Sequence, residues 1–240
     1  MNFAGILAGG KGTRLGKTEM PKQFLMLGEK PILVHTLEQF IISSNIDYII
    51  IAVPEKWINY TEDIINKYCI NNKTKVIKGG NNRNETLTNI CNYINENFSI
   101  NEDDVLVTHD AVRPFITQRI INDNIEKCKE YGATDTVVPA IDTIVEAKDN
   151  IISNIPIRDM MYQGQTPQSF KILDLINISK ELTIEEKNIL TDACKIYVLK
   201  GKRVGLVKGE LYNMKITTLY DLKIANLILN NNDKEELYDK

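Results

Sequence analysis

Short apolar runs rich in β-branched residues alternate along this chain with longer stretches whose apolar residues recur every three or four positions. The first pattern marks buried strands and the second amphipathic helices. Strands are predicted at Phe3–Ala8, at Asp47–Val53 ended by Pro54, at Lys75–Lys78 before Gly79-Gly80, at Asp104–Thr108, at Asp135–Ala140 and at Arg203–Val207. Helices are predicted over Pro31–Ile42, Ile58–Tyr68, Arg83–Asn97 and Ile116–Tyr131. Strand and helix in alternation imply an α/β fold, a mostly parallel sheet with helices on both faces. Such sheets bind ligands at the carboxyl ends of their strands. The loop after the first strand, Gly79-Gly80, His109-Asp110 and Val207-Lys208 all fall at those ends, so they can share one cleft.

Two stretches depart from the rhythm. Between Ile141 and Gln165, the runs Thr143–Ala147 and Ile151–Ser153 flank Lys148-Asp149-Asn150, the pattern of a β-hairpin with an Asp-Asn turn. A hairpin inserted after a core strand suits an arm that packs on a partner, so 141–165 is predicted as a dimerisation arm. The tail, 230–240, is polar and is predicted to fray. Neither an internal repeat nor a linker is visible, and 1–240 is read as a single domain.

The chemistry concentrates at the end of the first strand. Ala8-Gly9-Gly10-Lys11-Gly12-Thr13-Arg14-Leu15-Gly16 holds four glycines, and Pro21-Lys22-Gln23-Phe24 follows. Glycines let backbone N–H groups come close to a ligand, and Arg14 and Lys22 add positive charge. The sum suits a polyanion with several phosphates. A Walker A loop is excluded, because Gly12 rather than Ser or Thr follows Lys11. The dinucleotide fingerprint is excluded too: Leu15 stands where its last glycine belongs, and no acid ends a strand about 20 residues on. A plain glycine turn remains open, but it leaves both cations unexplained.

Composition narrows the field. A net charge of -3 argues against a general nucleic-acid binder, so any anion site is a local cluster in a mildly acidic chain. Cys69, Cys91, Cys128 and Cys194 are scattered, which fits a reducing compartment better than zinc or a disulfide frame. There is no signal-like N-terminus and no apolar run of about 18 residues, so a cytoplasmic protein without a membrane span is expected.

Thr108-His109-Asp110-Ala111-Val112-Arg113-Pro114-Phe115 follows a predicted buried strand. By spacing alone Asp110 serves equally as a Mg²⁺ ligand or as a helix cap. Other motifs follow in order: Gly79-Gly80-Asn81-Asn82-Arg83-Asn84-Glu85-Thr86, Gln165-Thr166-Pro167-Gln168-Ser169-Phe170, Thr191-Asp192, and Asn213-Met214-Lys215-Ile216-Thr217. The glycine loop resembles the signature of sugar-nucleotide pyrophosphorylases. The ordered set, spanning residues 3 to about 228, resembles the cytidylyltransferases that act on polyol phosphates. Tyr162-Gln163-Gly164, Leu190–Lys195 and Asp142–Glu146 lean toward the branch acting on ribitol 5-phosphate for teichoic-acid synthesis. The alternative is the branch acting on 2-C-methyl-D-erythritol 4-phosphate for isoprenoid synthesis. Ala111, where the ribitol branch more often has Ser, is a departure.

The resemblance implies a Rossmann-like fold of the nucleotide-diphospho-sugar transferase type. It implies CTP held by Leu7, Ala8, Gly9, Gly10, Gly12, Thr13, Arg14, Lys22, Gly79, Gly80, Arg83, Thr86, Asp110 and Lys215. Arg14, Lys22 and Lys215 would be catalytic, and Asp110 would contact Mg²⁺ or the ribose. Asp110, Arg113, Thr143, Arg158 and Thr191 would bind the polyol phosphate. Arg158 would reach the cleft of a second copy in a homodimer; a solvated surface arginine is the alternative. A partner reductase supplying the acceptor is left open. His35 and the cysteines are expected to be structural, and Trp57 to pack or start a helix. A rival from another class is a nucleotide-binding regulatory module without turnover, which the full set of cations disfavours.

Overall fold

The computed structural model describes residues 1–9, 20–183, 185, 186, 190 and 192–235. Its strands are β1 (Asn2–Leu7), β2 (Met26–Leu27), β3 (Lys30–Pro31), β4 (Tyr48–Val53), β5 (Thr74–Lys78), β6 (Val105–Asp110), β7 (Ala133–Pro139), β8 (Glu146–Lys148), β9 (Ile151–Asn154), β10 (Tyr162–Lys171) and β11 (Gly205–Lys208). Its helices are α1 (Ile32–Ile41), α2 (Ile58–Lys67), α3 (Arg83–Asn97), α4 (Gln118–Tyr131), α5 (Ile172–Lys180), α6 (Cys194–Leu199) and α7 (Leu219–Glu235). The predicted strands and helices are present, most with ends within two residues of expectation.

Seven strands form one sheet in the order β11-β7-β10-β6-β1-β4-β5, and β10 alone runs antiparallel to its neighbours. Side chains alternate across the pleat, and both faces are apolar. In β4, Ile49, Ile51 and Val53 join one core with residues of α1, α2 and α4, while Ile50 and Ala52 join the other with α3, α5 and α6. This is why the strands read as continuous apolar runs. Each such Ile or Leu contributes about 1.5–3 kcal/mol by leaving water. The register aligns Leu7 with both Ala52 and Asp110, so β1, β4 and β6 end level. Their carboxyl ends form the floor of a cleft.

The sequence pattern missed β10. Tyr162 to Ser169 is polar and holds a glycine and a proline, with none of the alternation that marks a strand. It is nonetheless buried from Gln165 to Phe170 in the middle of the sheet, where its polar side chains find partners. Tyr162, Gln163 and Gly164 pair with Pro139, Val138 and Val137. The excursion from the sheet therefore closes by Met161 rather than at Gln165. Within it, β8 and β9 pair as an exposed hairpin. Asp149 and Asn150 take positive φ of 52° and 64° at its tip, the left-handed pair that a two-residue hairpin turn demands. Asp110 is the last residue of β6, not a helix cap; Thr117 caps α4 by accepting from Ile120 N. The polar run from Asn230 is helical as far as Glu235, and 236–240 lie outside the described residues. Among the described residues no helix is long and apolar enough to cross a membrane.

Candidate active site

The cleft above β1, β4 and β6 has a volume of about 370 Å³. Leu7, Ala8, Gly9, Lys22, Gly80, Arg83, Thr86, Asp110 and Lys215, all predicted nucleotide contacts, line it. Gly79 lies just behind, its N–H donating to Val53 O at 2.7 Å. Gly10, Gly12, Thr13, Arg14 and Thr191 lie outside the described residues.

The two sides of the glycine loop are anchored separately. Ala8 N donates to Ala52 O at 2.9 Å, which extends the sheet by one residue beyond β1. On the return, Lys22–Phe24 form a single 3-10 turn after Pro21. Phe24 packs against Trp57 and Tyr60 at ring distances of 5.3 and 5.0 Å. Trp57 thus packs and starts a helix, as expected. Buried Gln23 reaches back and donates from Nε2 to Ala8 O at 2.6 Å. Lys22 is thereby held at the cleft wall.

The opposite wall is the start of α3. Asn82 caps it, accepting from Glu85 N at 2.9 Å, and the Glu85 carboxylate accepts from Asn81 N at 2.8 Å. The exchange resembles a capping box and fixes the turn before the helix. A Cβ on Gly80 would sit 2.5 Å from the Glu85 side chain, so only glycine fits there. Gly80 N donates to Thr86 Oγ1 at 3.0 Å. The positive end of α3 adds to the cations of the cleft.

Asp110 is the hub. Its Oδ1 accepts from Arg83 Nη1 at 2.6 Å, and its Oδ2 from Lys215 Nζ at 3.0 Å and Arg113 Nε at 3.3 Å. Burial opposes its charge, but Arg83, Lys215 and Arg113 together hold the carboxyl far below the usual carboxylate range. Three cations around one carboxylate leave the cluster positive. Arg113 is tied from behind, with Nη1 donating to Asn213 O at 2.8 Å. Ile216 N donates to Val112 O at 2.9 Å, which pins the segment carrying Lys215 alongside.

His109 is no acid or base for the cleft. It is fully buried, packs against Phe40, and burial lowers its pKa to about 4. Its Nε2 donates to Arg113 O at 3.1 Å, so Nδ1 accepts from Thr166 Oγ1 at 2.9 Å. Thr166 Oγ1 in turn accepts from Asp110 N at 3.1 Å. His109 and Thr166 thus hold the backbone of the hub. His35 bonds Leu27 O at 2.8 Å, also structurally. Burial pushes the Cys91 and Cys128 thiols up to about 12, so neither is a nucleophile.

Thr143 and Arg158 do not join the cleft of their own chain. Both are exposed on the excursion, and the Arg158 contact to Ile141 O is long at 3.5 Å. Sequence reasoning missed the supporting roles of Gln23, Thr166, Gln168 and Asn213. Each lies inside a motif quoted above, which was the available signal. It also missed Asp135, whose carboxyl is raised to about 6, by burial first and by Asp192 against the relief from Gln168.

What the arrangement can do is bind and polarise a phosphorylated ligand at the ends of three strands. Residues 3–231 match the model of the 2-C-methyl-D-erythritol 4-phosphate cytidylyltransferase family. The chain is 55% identical over 229 residues to ribitol-5-phosphate cytidylyltransferase of Lactiplantibacillus plantarum, covering 95% of this chain and 98% of that protein. It superposes on 4-diphosphocytidyl-2C-methyl-D-erythritol synthase of Anaerococcus prevotii with a TM-score of 0.80, at 24% identity over 95% of this chain and 96% of the other. For the 2-C-methyl-D-erythritol 4-phosphate cytidylyltransferase of Francisella tularensis the TM-score is 0.77, at 28% identity over 94% and 98%.

Proposed function

This chain belongs to the 2-C-methyl-D-erythritol 4-phosphate cytidylyltransferase family, and from that premise we propose that it transfers a cytidylyl group from CTP to D-ribitol 5-phosphate, giving CDP-ribitol and pyrophosphate. The observation that carries the choice of acceptor is the 55% identity, over nearly the whole chain, to a relative named for that reaction. The product would serve cell-wall polymer (teichoic-acid) synthesis in the cytoplasm.

The nucleophile is a phosphate oxygen of the acceptor. It forms a bond to the α-phosphorus of CTP in line with the bond that breaks to pyrophosphate. The nucleophile is already an anion, so no proton need be removed, and the absence of a titrating base among the described cleft residues is no obstacle. What the reaction needs is relief of anion–anion repulsion and of charge growing on the leaving group. Lys22 and Lys215, which both line the cleft, would supply it, with Arg14 from the glycine loop. Asp110 keeps Lys215 and Arg83 extended toward the cleft before substrate arrives. That preorganisation spares the reaction part of the cost of gathering them. Gly80 and Thr86 would receive the base.

Mg²⁺ is the expected counter-ion of the triphosphate. Asp110 could touch it only by releasing a cation, because Arg83 holds its Oδ1 and Lys215 and Arg113 its Oδ2, so phosphates and water would supply most of the ion's ligands. When bound it would supply charge neutralisation at the phosphates.

The acceptor half of the site would be completed by a second copy. Ile151, Ile155, Ile157 and Met160 are 57–71% exposed on one short excursion. Several large apolar side chains exposed on one short segment suit an interface. In a homodimer joined through these arms, Arg158 would reach the neighbour's cleft and offer the acceptor phosphate a cation, with Thr143, Arg113 and Thr191 as further contacts.

Pyrophosphate release with CTP and each acceptor tests the reading. Ribitol 5-phosphate should be used well, methylerythritol 4-phosphate poorly, and ATP or GTP hardly at all. Equal turnover of methylerythritol 4-phosphate would move the chain to the isoprenoid reaction. Activity should vanish with EDTA and return with Mg²⁺.

A further inference from the structure

Gln168 stands where the cations of the cleft meet a second group of carboxylates. It lies in the middle of β10, opposite Thr108 of β6 and Asp135 of β7, and is 1% exposed. Its Nε2 donates to Asp192 Oδ2 at 2.6 Å and to Asp135 Oδ1 at 3.0 Å. Both amide hydrogens are therefore used. The amide cannot turn over, because its Oε1 would then face two carboxylates, acceptor against acceptor. Locked this way, Oε1 faces Arg83 and accepts from Nη2 at 3.4 Å, a long bond that steers the guanidinium rather than clamping it. The other nitrogen of Arg83 holds Asp110. Asp192 is itself fixed, its Oδ1 accepting from Cys194 N at 2.8 Å.

The ligand atoms of Asp135, Asp192 and Cys194 lie within 4.8 Å of one another, a spacing that suggests a metal. The Gln168 amide points its hydrogens at both carboxylates, however, and a donor there opposes a cation. The carboxylates serve the amide instead.

We propose that Gln168 is a positioning residue for nucleotidyl transfer, an amide locked by Asp135 and Asp192 that holds Arg83 in register with Asp110. It ties the segment carrying Asp192, next to the acceptor candidate Thr191, to the nucleotide side of the cleft. The proposal rests on the reading of that cleft as the CTP site. The charged and titratable groups that meet around Gln168 are Arg83 from α3, Asp110 and Arg113 at the end of β6, Asp135 from β7, and Asp192 and the Cys194 thiol at the start of α6. Lys215 acts through Asp110.

The test is steady-state kinetics with CTP and ribitol 5-phosphate, between about pH 6 and pH 8, on wild type, Gln168→Met, Gln168→Glu and the double variant Gln168→Glu/Asp192→Asn. Gln168→Met should raise the KM for CTP about tenfold, since a hydrogen bond to a charged group is lost. Gln168→Glu puts a third carboxyl beside two others. It should be impaired near pH 8 and recover relative to wild type toward pH 6, where that carboxyl takes a proton and donates again. Asp192→Asn should rescue Gln168→Glu near pH 8, because the new amide donates to the new carboxylate. A role in packing alone predicts neither the acid recovery nor the rescue. Gln168→Met with wild-type KM and kcat, or Gln168→Glu with a flat pH ratio and no rescue, would overturn the proposal. If wild type neither binds nor turns over CTP, the reading of the cleft has failed instead. The thermal midpoint of Gln168→Glu against pH then judges the lock by itself: recovery in acid supports it, and a flat profile overturns it.

Discussion

The cleft and the arm both carry residues expected to act on substrate, yet they are built in opposite ways. In the cleft the charges are partly or fully buried and each is held: Asp110 by Arg83, Arg113 and Lys215, and Arg113 by Asn213. On the arm large apolar side chains such as Ile151, Ile157 and Met160 lie exposed among polar ones, and Arg158 makes one long contact. A group that must present charge to a triphosphate is fixed before the ligand comes. A surface that meets a second protein stays open until it does. On the reading proposed above, the contrast means that one chain would finish the nucleotide half of the site, while the acceptor half would wait for a neighbour.

The largest test of this division is Lys22→Ala. It should lower kcat about a hundredfold to a thousandfold in pyrophosphate release. The thermal midpoint should stay close to wild type, because the turn around it is held by Phe24 and Gln23. Activity near wild type would remove Lys22 from the reaction.

Mixing is the second test. If Arg158 acts across an arm-to-arm dimer, Arg158→Ala should also be nearly inactive with ribitol 5-phosphate. Equal parts of Arg158→Ala and Lys22→Ala chains, dissociated and reassociated, should regain about a quarter of wild-type activity. Half the dimers are then mixed, and each mixed dimer holds one complete site. No recovery would confine Arg158 to its own chain.

The third acts on the arm surface alone. Ile151→Glu with Ile157→Glu should yield a monomer by light scattering, with CTP affinity within about threefold of wild type by calorimetry. A double variant that stays dimeric would place the interface elsewhere.

The smallest effect belongs to the buried polar network beside the cleft. The Asp135 carboxyl titrates at about 6 in the folded chain, above its unfolded value. Its contribution to stability is thus full below about pH 4 and lost as pH rises through about 6. Asp135→Asn should therefore stabilise the protein by about 2 kcal/mol at pH 8 and by little at pH 4, read as denaturation midpoints. An equal effect at both values would mean that the carboxyl is not destabilised by its neighbours.

Much of this was legible in the chain. Strands such as Tyr48–Val53 announced themselves because both faces of the sheet are covered, so every side chain had to be apolar. Helix α3 began at the predicted residue because Asn82 and Glu85 cap it locally. The cleft residues were legible as motifs, since backbone approach needs glycine and phosphate needs fixed cations. Strand β10 was not, because its burial is satisfied by partners far away in sequence: Thr108 Oγ1 donates to Gln168 O, and Asn213 Nδ2 to Thr166 O. Local pattern carries no trace of such bonds.

The sequence by itself determined the α/β alternation, the hairpin with its Asp-Asn tip and the kinship of the chain, because these follow from short-range periodicity, turn chemistry and motif order. Only the tertiary structure decided that Asp110 gathers Arg83, Arg113 and Lys215, that His109 is buried and neutral, and that Gln168 joins two groups of charges. These are long-range electrostatic and hydrogen-bonding facts. They exist only once strands distant in the chain lie about 5 Å apart and water has been removed from between their side chains.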